Sequence, residues 1–435
     1  MNPIRARLAN NRAIARDAVA LAYSMSDSAH DARLSWQLDR FNSCWLTMQS
    51  SVPYYNRLVR KRVAPKRFES WKDFLDCMPV MNRAFVREHC RELSDTSRMA
   101  EFLRITGGST SQPLQLPAWR SELNETDPNT WLGRSWYGIT PYDSLFLLWG
   151  HSHLLGHGIR GWFNGQLRCL KDSFLGYTRW SAYDLSASAM RSAGLRLERT
   201  GADYVLGYSV ALDCFARCNS GFRLSPKRPI KAIIGTAECF PNDDTPRLLE
   251  SLLQAPVAME YGSIETGAIA HTTRTGPYRV FWRSHLLECV SLGANGTCAL
   301  RVTSLYPRCF PLVRYEMGDE IQDPDNLVGC SSFSKVLGRS NAYLQLEDNK
   351  RIHSAAISAC VRDQISVQAY QFVHDGDRLV LRLQLDKRFG PVDGEQIIQR
   401  LGRIDRALQR TQIEVVESLE RTVAGKTPLV ISRKW

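Results

Sequence analysis

The chain has 435 residues, of which 44% are hydrophobic and 23% are charged. This length allows two or three domains with a buried core, and the composition is that of a globular rather than a disordered protein. The net charge of +12 suits an anionic cofactor, an acidic carrier protein or a nucleic acid. No basic run alternates with aromatic residues, so a nucleic acid is the weakest of these partners and we expect none.

No apolar stretch approaches the ~20 residues that span a bilayer. The longest candidate, residues 142–158, is interrupted by Asp143 and three histidines. The arginine-rich start has no apolar signal core, and we interpret it as a surface helix rather than a transit peptide. The twelve cysteines include no CxxC pair, which indicates reduced thiols rather than a zinc ribbon or a disulfide framework. We expect a soluble cytoplasmic protein without membrane insertion.

Helical patterns dominate residues 1–100, where aromatic residues such as Phe41, Trp45 and Trp71 recur. From 101 to about 337, short apolar runs alternate with helical patterns, as expected for α/β layers. Strands are predicted there at 205–208, 230–235, 257–261 and 299–303. The last part of the chain has strand patterns at 371–373, 379–385 and 413–416 and a helical pattern near 393–410. This mixture predicts a separate α+β segment.

Residues 106–113 read Thr-Gly-Gly-Ser-Thr-Ser-Gln-Pro. A loop of this composition can turn backbone N–H groups and hydroxyls towards phosphate oxygens. It is not a Walker loop, because no Gly-Lys-Ser/Thr follows. A simple Gly/Ser turn between two strands would have the same composition, so the loop alone does not decide between the two interpretations.

Four further motifs follow this loop in a fixed order. They are Gly235-Thr236-Ala237-Glu238; Tyr261-Gly262-Ser263 with Glu265; Arg314-Tyr315-Glu316-Met317-Gly318-Asp319; and Gly338-Arg339-Ser340-Asn341 with Ala424-Gly425-Lys426. The ordered set resembles the adenylate-forming (acyl-CoA ligase) superfamily. It is most similar there to the branch of phenylacetate–CoA ligases, CapK-like proteins and deazaflavin-adenylylating synthetases. The resemblance begins near residue 40, and 53–55 and 78–82 are similar to that branch's leader.

The resemblance implies an α/β fold with a large N-terminal domain of layered sheets and helices over 1–337. A hinge at 338–341, including Asn341, would join it to a small mobile α+β lid domain at 342–435. It also implies an enzyme in which a carboxylate attacks the α-phosphate of ATP to give an acyl-adenylate and pyrophosphate. The acyl group would then pass to a thiol, either coenzyme A or the pantetheine of an acyl carrier protein.

The same resemblance assigns the nucleotide-binding residues. The phosphate-binding loop would use Thr106, Gly107, Gly108, Ser109 and Thr110; the nucleotide would also contact Gly235, Thr236, Ala237, Glu238, Tyr261, Gly262, Ser263, Asp319 and Arg339. Tyr261 would stack on adenine, and Asp319 would accept hydrogen bonds from the ribose hydroxyls. Arg314 would contact the nucleotide, or would hold Asp319 or Glu316 in an ion pair.

Two residues would have catalytic roles. Glu265 matches the family's magnesium-binding glutamate, and one carboxylate together with phosphate oxygens suffices for Mg²⁺. Lys426 matches the lysine that reaches the carboxylate and α-phosphate, where a fixed cation stabilises charge that builds up during the reaction. Each residue also has an ordinary interpretation, as a turn acid or a solvated lysine, and only the ordered set favours the functional one. Ser111 and Asn341 depart from the family's usual glycine and aspartate.

The acid substrate would lie against the aromatic-rich part of the chain between the loop and residue 185. A planar aromatic acid suits such a lining, although most of these rings are expected in the core. We single out Trp149, His151 and His153 as substrate contacts. His157 completes a run that also suits a metal site, a pocket or ordinary core and surface positions.

Three rival functions remain open from the sequence. The acyl-adenylate could pass to an amine, which would make the protein an amide synthetase. AMP itself could be transferred to a hydroxyl, as in the deazaflavin-adenylylating relatives. A non-catalytic nucleotide-binding protein could keep the same fold, although the presence of Lys426 and Glu265 argues against it.

Overall fold

The computed structural model describes residues 13, 15–22, 29–105, 114–149, 172, 176–182, 185, 187–240, 242–293, 296–339, 343–346, 351–353, 357, 360–361, 364, 366–376, 378–385, 393–420 and 428–433. The N-terminal part of the described chain includes the helices α1 (His30–Ser51), α2 (Pro53–Arg60), α3 (Trp71–Cys77) and α4 (Arg83–Glu88). Their aromatic residues form one buried cluster, in which the rings of Phe41 and Phe74 lie 4.9 Å apart. The recurring aromatics of this region are therefore core residues.

The centre of the body is an eight-stranded mixed sheet. Its strands are β3 (Leu145–Trp149), β4 (Tyr177–Ser181), β5 (Tyr204–Tyr208), β6 (Ile233–Thr236), β7 (Val257–Ser263), β8 (Gly267–Thr272), β9 (Tyr278–Val280) and β13 (Ser332–Phe333). They lie in the order β13-β9-β8-β7-β6-β5-β3-β4, and the five from β7 to β4 are parallel. Parallel strands are covered on both faces, which explains why β3 and β5 read as continuous apolar runs.

Helices cover the parallel strands. One face packs against α6 (Ala187–Arg199), α7 (Ser209–Asn219) and α8 (Thr245–Leu253) in a cluster that includes Phe146 and Phe215. The opposite face carries a second cluster with Tyr137 and Tyr204, next to α5 (Leu123–Ser135). This is the layered arrangement that the alternating pattern predicted.

A second, antiparallel sheet packs beside the first. It is formed by β10 (His285–Ser291), β11 (Thr297–Ser304), β12 (Tyr315–Gln322) and β14 (Lys335–Arg339), in that order. A shared apolar cluster joins it to β8 and β9. A separate hairpin of β1 (Phe102–Ile105) and β2 (Gln115–Ala118) flanks the glycine-rich stretch in sequence.

The C-terminal part of the chain has its own core. β17 (Val367–Asp375), β18 (Arg378–Leu385), β19 (Gln412–Val415) and β20 (Val430–Arg433) form a four-stranded sheet in the order β19-β18-β17-β20. Helix α9 (Gly394–Ile404) packs on it, and a short hairpin pairs β15 (Tyr343–Gln345) with β16 (Arg351–His353). Among the described residues, the apolar cluster of this part is formed between Leu344 and Val430.

The α/β fold class is confirmed. The predicted strands at 205–208, 257–261 and 299–303 correspond to β5, β7 and β11, whereas β6 begins at Ile233, three residues later than predicted. The boundary between body and C-terminal segment stays a prediction, because 340–342 lie outside the described residues. Among the described helices, none is both long and apolar enough to cross a bilayer.

Candidate nucleotide and acyl site

The carboxyl ends of the parallel strands define one edge of the large sheet. The strands β3, β5 and β6 end there at Trp149, Tyr208 and Thr236. The chain leaves β3 towards β4 on one side and continues from β5 to β6 and β7 on the other. Strand order therefore reverses between β3 and β5. In open α/β sheets, ligands bind outside the carboxyl ends of the strands at such a switch point.

Two aromatic rings meet at this switch point. The ring centroids of Trp149 and Tyr208 lie 4.1 Å apart, and both side chains are partly exposed. Gly207, which precedes Tyr208, pairs with Leu148, and a Cβ there would lie 2.9 Å from the Leu148 Cβ. Trp149 was a predicted substrate contact, whereas Tyr208 was missed, although it follows a buried apolar run directly. His151, His153 and His157 lie outside the described residues.

The turn after β6 lies next to this pair. Ala237 has a φ of 72°, in the left-handed region that residues other than glycine rarely adopt. Such strain is often found at functional sites. The Ser209 hydroxyl donates to the Glu238 carbonyl at 2.7 Å and fixes the turn. Gly235 is required by space, since a Cβ there would lie 2.6 Å from the Met259 sulfur.

Cys239 ties the same turn to the antiparallel sheet. Its thiol donates to the Val336 carbonyl of β14 at 3.1 Å. Burial raises the pKa of Cys239 to about 12, and the nearby Asp319 charge acts in the same direction. The thiol therefore stays protonated. The predicted motifs around 236 and 319 are thus neighbours, although they belong to different sheets.

Asp319 and Tyr261 form the second link between the sheets. The Tyr261 hydroxyl donates to Asp319 Oδ2 at 2.9 Å. Burial raises the pKa of Tyr261 and Asp319 adds to the shift, so the hydroxyl keeps the proton that it donates. Asp319 is partly exposed, and it is paired in register with Arg339 on β14. Gly262 follows Tyr261 at a bulge where a Cβ would lie 2.2 Å from the Gly267 carbonyl.

A compact turn between β7 and β8 carries Glu265. The Ser263 N–H donates to Thr266 Oγ1 at 3.2 Å, and the Thr266 N–H donates to Ser263 Oγ at 3.2 Å. His285 Nε2 lies 3.3 Å from the Thr266 carbonyl. Burial, together with the charge of Arg308, lowers the pKa of His285 to about 3, so the ring is neutral and donates from Nε2.

The Glu265 carboxylate is almost completely buried, with 7% of its side chain exposed. Arg83 Nη1, at the start of α4, lies 3.7 Å from Glu265 Oε1. Arg83 was missed, although it directly follows the leader motif at 78–82. The described residues contain no group of three or more histidine, cysteine or acidic side chains arranged to hold a metal ion.

The predicted ion pair of Arg314 with Asp319 or Glu316 is wrong. Arg314 contacts neither Asp319 nor Glu316 in a salt bridge; its Nε and Nη2 instead donate to both oxygens of Glu288, the shortest contact being 2.8 Å. Its Nη1 donates to the carbonyls of Leu75 and Met78, each at 2.7 Å. Arg314 is thus a buried link between β10, β12 and the N-terminal helices. The sequence could not identify Glu288, because no motif marks it.

Several predicted residues cannot be placed. Thr106, Gly107, Gly108, Ser109, Thr110, Asn341 and Lys426 lie outside the described residues, as does the side chain of Arg339. The structure therefore brings together Tyr261, Asp319 and the turn after β6, with Trp149 at the same sheet edge. The roles of all predicted site residues stay predictions.

No protein-family model matches the chain. Similar solved structures include 2-hydroxyisobutyryl-CoA ligase in the postadenylation state in complex with 2-HIB-AMP. It is 15% identical, with a TM-score of 0.65 over 92% of this chain and 89% of that one. The anthranilate CoA ligase AuaEII in complex with anthranoyl-AMP is 14% identical, with a TM-score of 0.52 over 75% of this chain and 64% of its own.

Protein CapK of Staphylococcus aureus is a weaker relative. It is 26% identical over 176 residues, which are 37% of this chain. The match spans only 38% of the CapK length. The resemblance that the ordered motifs suggested agrees with these findings, and the chain has the α/β fold of the adenylate-forming ligases.

Proposed function

We propose that this protein activates a carboxylic acid with ATP as an acyl-adenylate and then transfers the acyl group to a thiol. One observation carries the proposal: the Tyr261–Asp319 hydrogen bond and the strained turn at Ala237 converge at the carboxyl edge of the large sheet. An aromatic ring, a partly exposed carboxylate and a turn suit the base, ribose and phosphate of an adenine nucleotide. The fold of these ligases supports the same function.

The reaction divides into two steps. A carboxylate oxygen of the acid attacks the α-phosphorus, and the bond to the bridging oxygen of the β-phosphate breaks, which releases pyrophosphate. A thiolate then attacks the acyl carbon, and AMP leaves with the former carboxylate oxygen. Lys426 would stabilise charge on the α-phosphate during the first step. Asp319 would orient the ribose in both steps.

The residues present fit a magnesium ion. Mg²⁺ usually binds through one or two carboxylates, phosphate oxygens and water, and Glu265 supplies one carboxylate on a rigid turn. When bound, the ion would neutralise charge on the departing pyrophosphate. Arg83 at 3.7 Å now balances the Glu265 charge, and a triphosphate would offer this cation a second anionic partner.

The close pair of Trp149 and Tyr208, whose rings are tilted by 31°, supports a planar, aromatic acid as substrate, since flat ligands pack well against partly exposed rings. For the acceptor, we propose coenzyme A or a carrier-protein pantetheine. The free thiols among the described cysteines suit the cytoplasm, where we expect the protein to act.

Acid-dependent exchange of pyrophosphate into ATP, measured over a panel of aryl and alkyl acids, tests this function. We expect exchange with at least one acid and AMP release only when a thiol acceptor is added. AMP release driven by amines would instead identify an amide synthetase. AMP recovered on a hydroxyl product would identify an adenylyltransferase. Failure to exchange with any acid would contradict the proposal.

Replacing Lys426 separates the two steps. Lys426→Ala should lower the exchange rate about 100-fold or more, because one fixed donor at a developing charge is worth that much. Transfer from a presynthesised acyl-adenylate should stay within about threefold of wild type, since that step does not form the phosphate bond. The exposed Lys66 provides a matched control, and Lys66→Ala should change neither rate. Equal loss of both steps in Lys426→Ala would contradict the assigned role.

A further inference from the structure

A buried ionic cluster centred on Glu122 lies in the body, and Glu122 itself is 1% exposed. Its Oε1 accepts from the backbone N–H groups of Trp119 at 2.9 Å and Cys309 at 3.0 Å. Its Oε2 accepts from Arg104 Nη2 at 3.1 Å and lies 3.6 Å from Arg308 Nε. One carboxylate therefore balances the buried guanidinium group of Arg308 and the partly buried one of Arg104.

The two arginines are connected to different segments that are predicted to bind phosphate or metal: Arg308 to the Glu265 turn, and Arg104 to the strand that precedes the glycine-rich loop in the chain. Arg308 Nη2 donates to the carbonyl of Glu265 at 2.5 Å, so it holds the turn that carries the proposed metal ligand. Arg104 lies on β1, whose last residue, Ile105, directly precedes Thr106 in the chain. Strand β1 and the Glu265 turn are thus held through the same anion.

We propose that Glu122 is a positioning residue for triphosphate binding. By holding Arg104 and Arg308 together, it fixes β1 relative to the Glu265 turn, so that MgATP meets both in one arrangement. Breaking these ion pairs is costly because they are buried: a guanidinium group that lost Glu122 would have no water molecule to take the place of the carboxylate. The inference rests on the proposed function, since it assumes that the β and γ phosphates of ATP bind next to β1 and the Glu265 turn.

Glu122→Gln tests the inference. The amide keeps the shape of the side chain but removes the negative charge, and its NH₂ group can only donate towards the two arginines. We expect the KM for MgATP in pyrophosphate exchange to rise about tenfold and the Mg²⁺ concentration for half-maximal rate to rise. The KM for the acid, and transfer from a presynthesised adenylate, should stay within about twofold. Replacing a residue that supports a metal ligand from behind typically lowers metal affinity or activity by about 10–100-fold.

A second readout does not depend on activity. MgATP should raise the melting temperature of Glu122→Gln less than that of wild type, whereas AMP, which lacks the β and γ phosphates, should stabilise both equally. Glu122→Asp keeps the charge and should restore part of the MgATP response; it also serves if Glu122→Gln folds poorly. Glu288→Gln, in the buried pair with Arg314, is the matched control and should leave both nucleotide responses unchanged.

The possible outcomes are distinct. Equal loss of the MgATP and AMP responses in Glu122→Gln would overturn the inference, because a purely structural residue would affect both. An unchanged MgATP response would overturn it as well. Wild-type protein that is stabilised by neither nucleotide would overturn the proposed function itself.

Discussion

Two acidic residues of the antiparallel sheet, on β10 and β12 with β11 between them, have opposite surroundings. Glu288 is buried, and both of its oxygens accept from Arg314, which also donates to two backbone carbonyls. Asp319 is partly exposed on β12, and its Oδ2 accepts from the hydroxyl of Tyr261 in the large sheet. The Glu288 carboxylate stabilises the fold, whereas the Asp319 carboxylate is partly exposed, and we propose that a ligand binds it.

This difference indicates how to separate structural from binding acids in this protein. A buried carboxylate bound on both oxygens by one guanidinium leaves no acceptor for a ligand, and breaking such a pair costs stability. A partly exposed carboxylate can exchange a water molecule for a ribose hydroxyl at little cost. Replacements at the two sites should therefore change different measured quantities.

The largest effect is expected from Arg314→Met, which leaves the Glu288 charge buried without its partner. Loss of one member of a buried ion pair costs about 3–5 kcal/mol of unfolding free energy. Chemical denaturation measures this loss, and the KM for ATP of the folded fraction should stay within about twofold. The double variant Arg314→Met/Glu288→Gln should recover part of the stability. Wild-type stability with a raised KM for ATP would instead place Arg314 at the nucleotide.

Asp319→Ala should have the next largest effect, on binding rather than on stability. Hydrogen bonds to a charged group contribute about 1.5–3 kcal/mol, which corresponds to a KM for ATP raised about 10–100-fold. The KM for the acid should change far less. Steady-state pyrophosphate exchange measures both constants. Glu316→Ala, on the same strand and also partly exposed, is the control and should change neither. Similar rises in both constants for Asp319→Ala would break the comparison.

Tyr261→Phe should have the smallest effect, because it removes only the hydroxyl that orients Asp319. The hydroxyl acts on ATP only through the orientation of Asp319, so the KM for ATP should rise less than in Asp319→Ala, by about 2–10-fold. Tyr261→Leu, which also removes the ring, should raise it further if the ring stacks on adenine. Tyr278→Phe is the control, since Tyr278 is a buried neighbour of Tyr261 with ring centroids 6.4 Å apart. An equal rise in Tyr261→Phe and Tyr278→Phe would argue against an oriented Asp319.

Local sequence was sufficient for much of the fold. Strands buried on both faces must be apolar throughout, and for this reason the run at β5 was recognisable as a strand between helical patterns. The ends of strands were harder to predict where an apolar run extends beyond the residues that form hydrogen bonds within the sheet. Residues 230–232 illustrate this, since Ile230 and Ala232 are buried although β6 begins only at Ile233.

Periodicity and turn composition are local properties of a chain, and for this reason the layered α/β class, the α+β pattern of the C-terminal segment and the candidate nucleotide motifs could be predicted without a structure. Which charged side chains pair with each other is visible only in the folded chain. Arg314 forms an ion pair with Glu288 and not with Asp319. Arg83 lies next to Glu265, and Glu122 contacts both Arg104 and Arg308. Each of these pairs forms across different elements, where the free energy depends on burial and distance, and no spacing within the chain encodes either quantity.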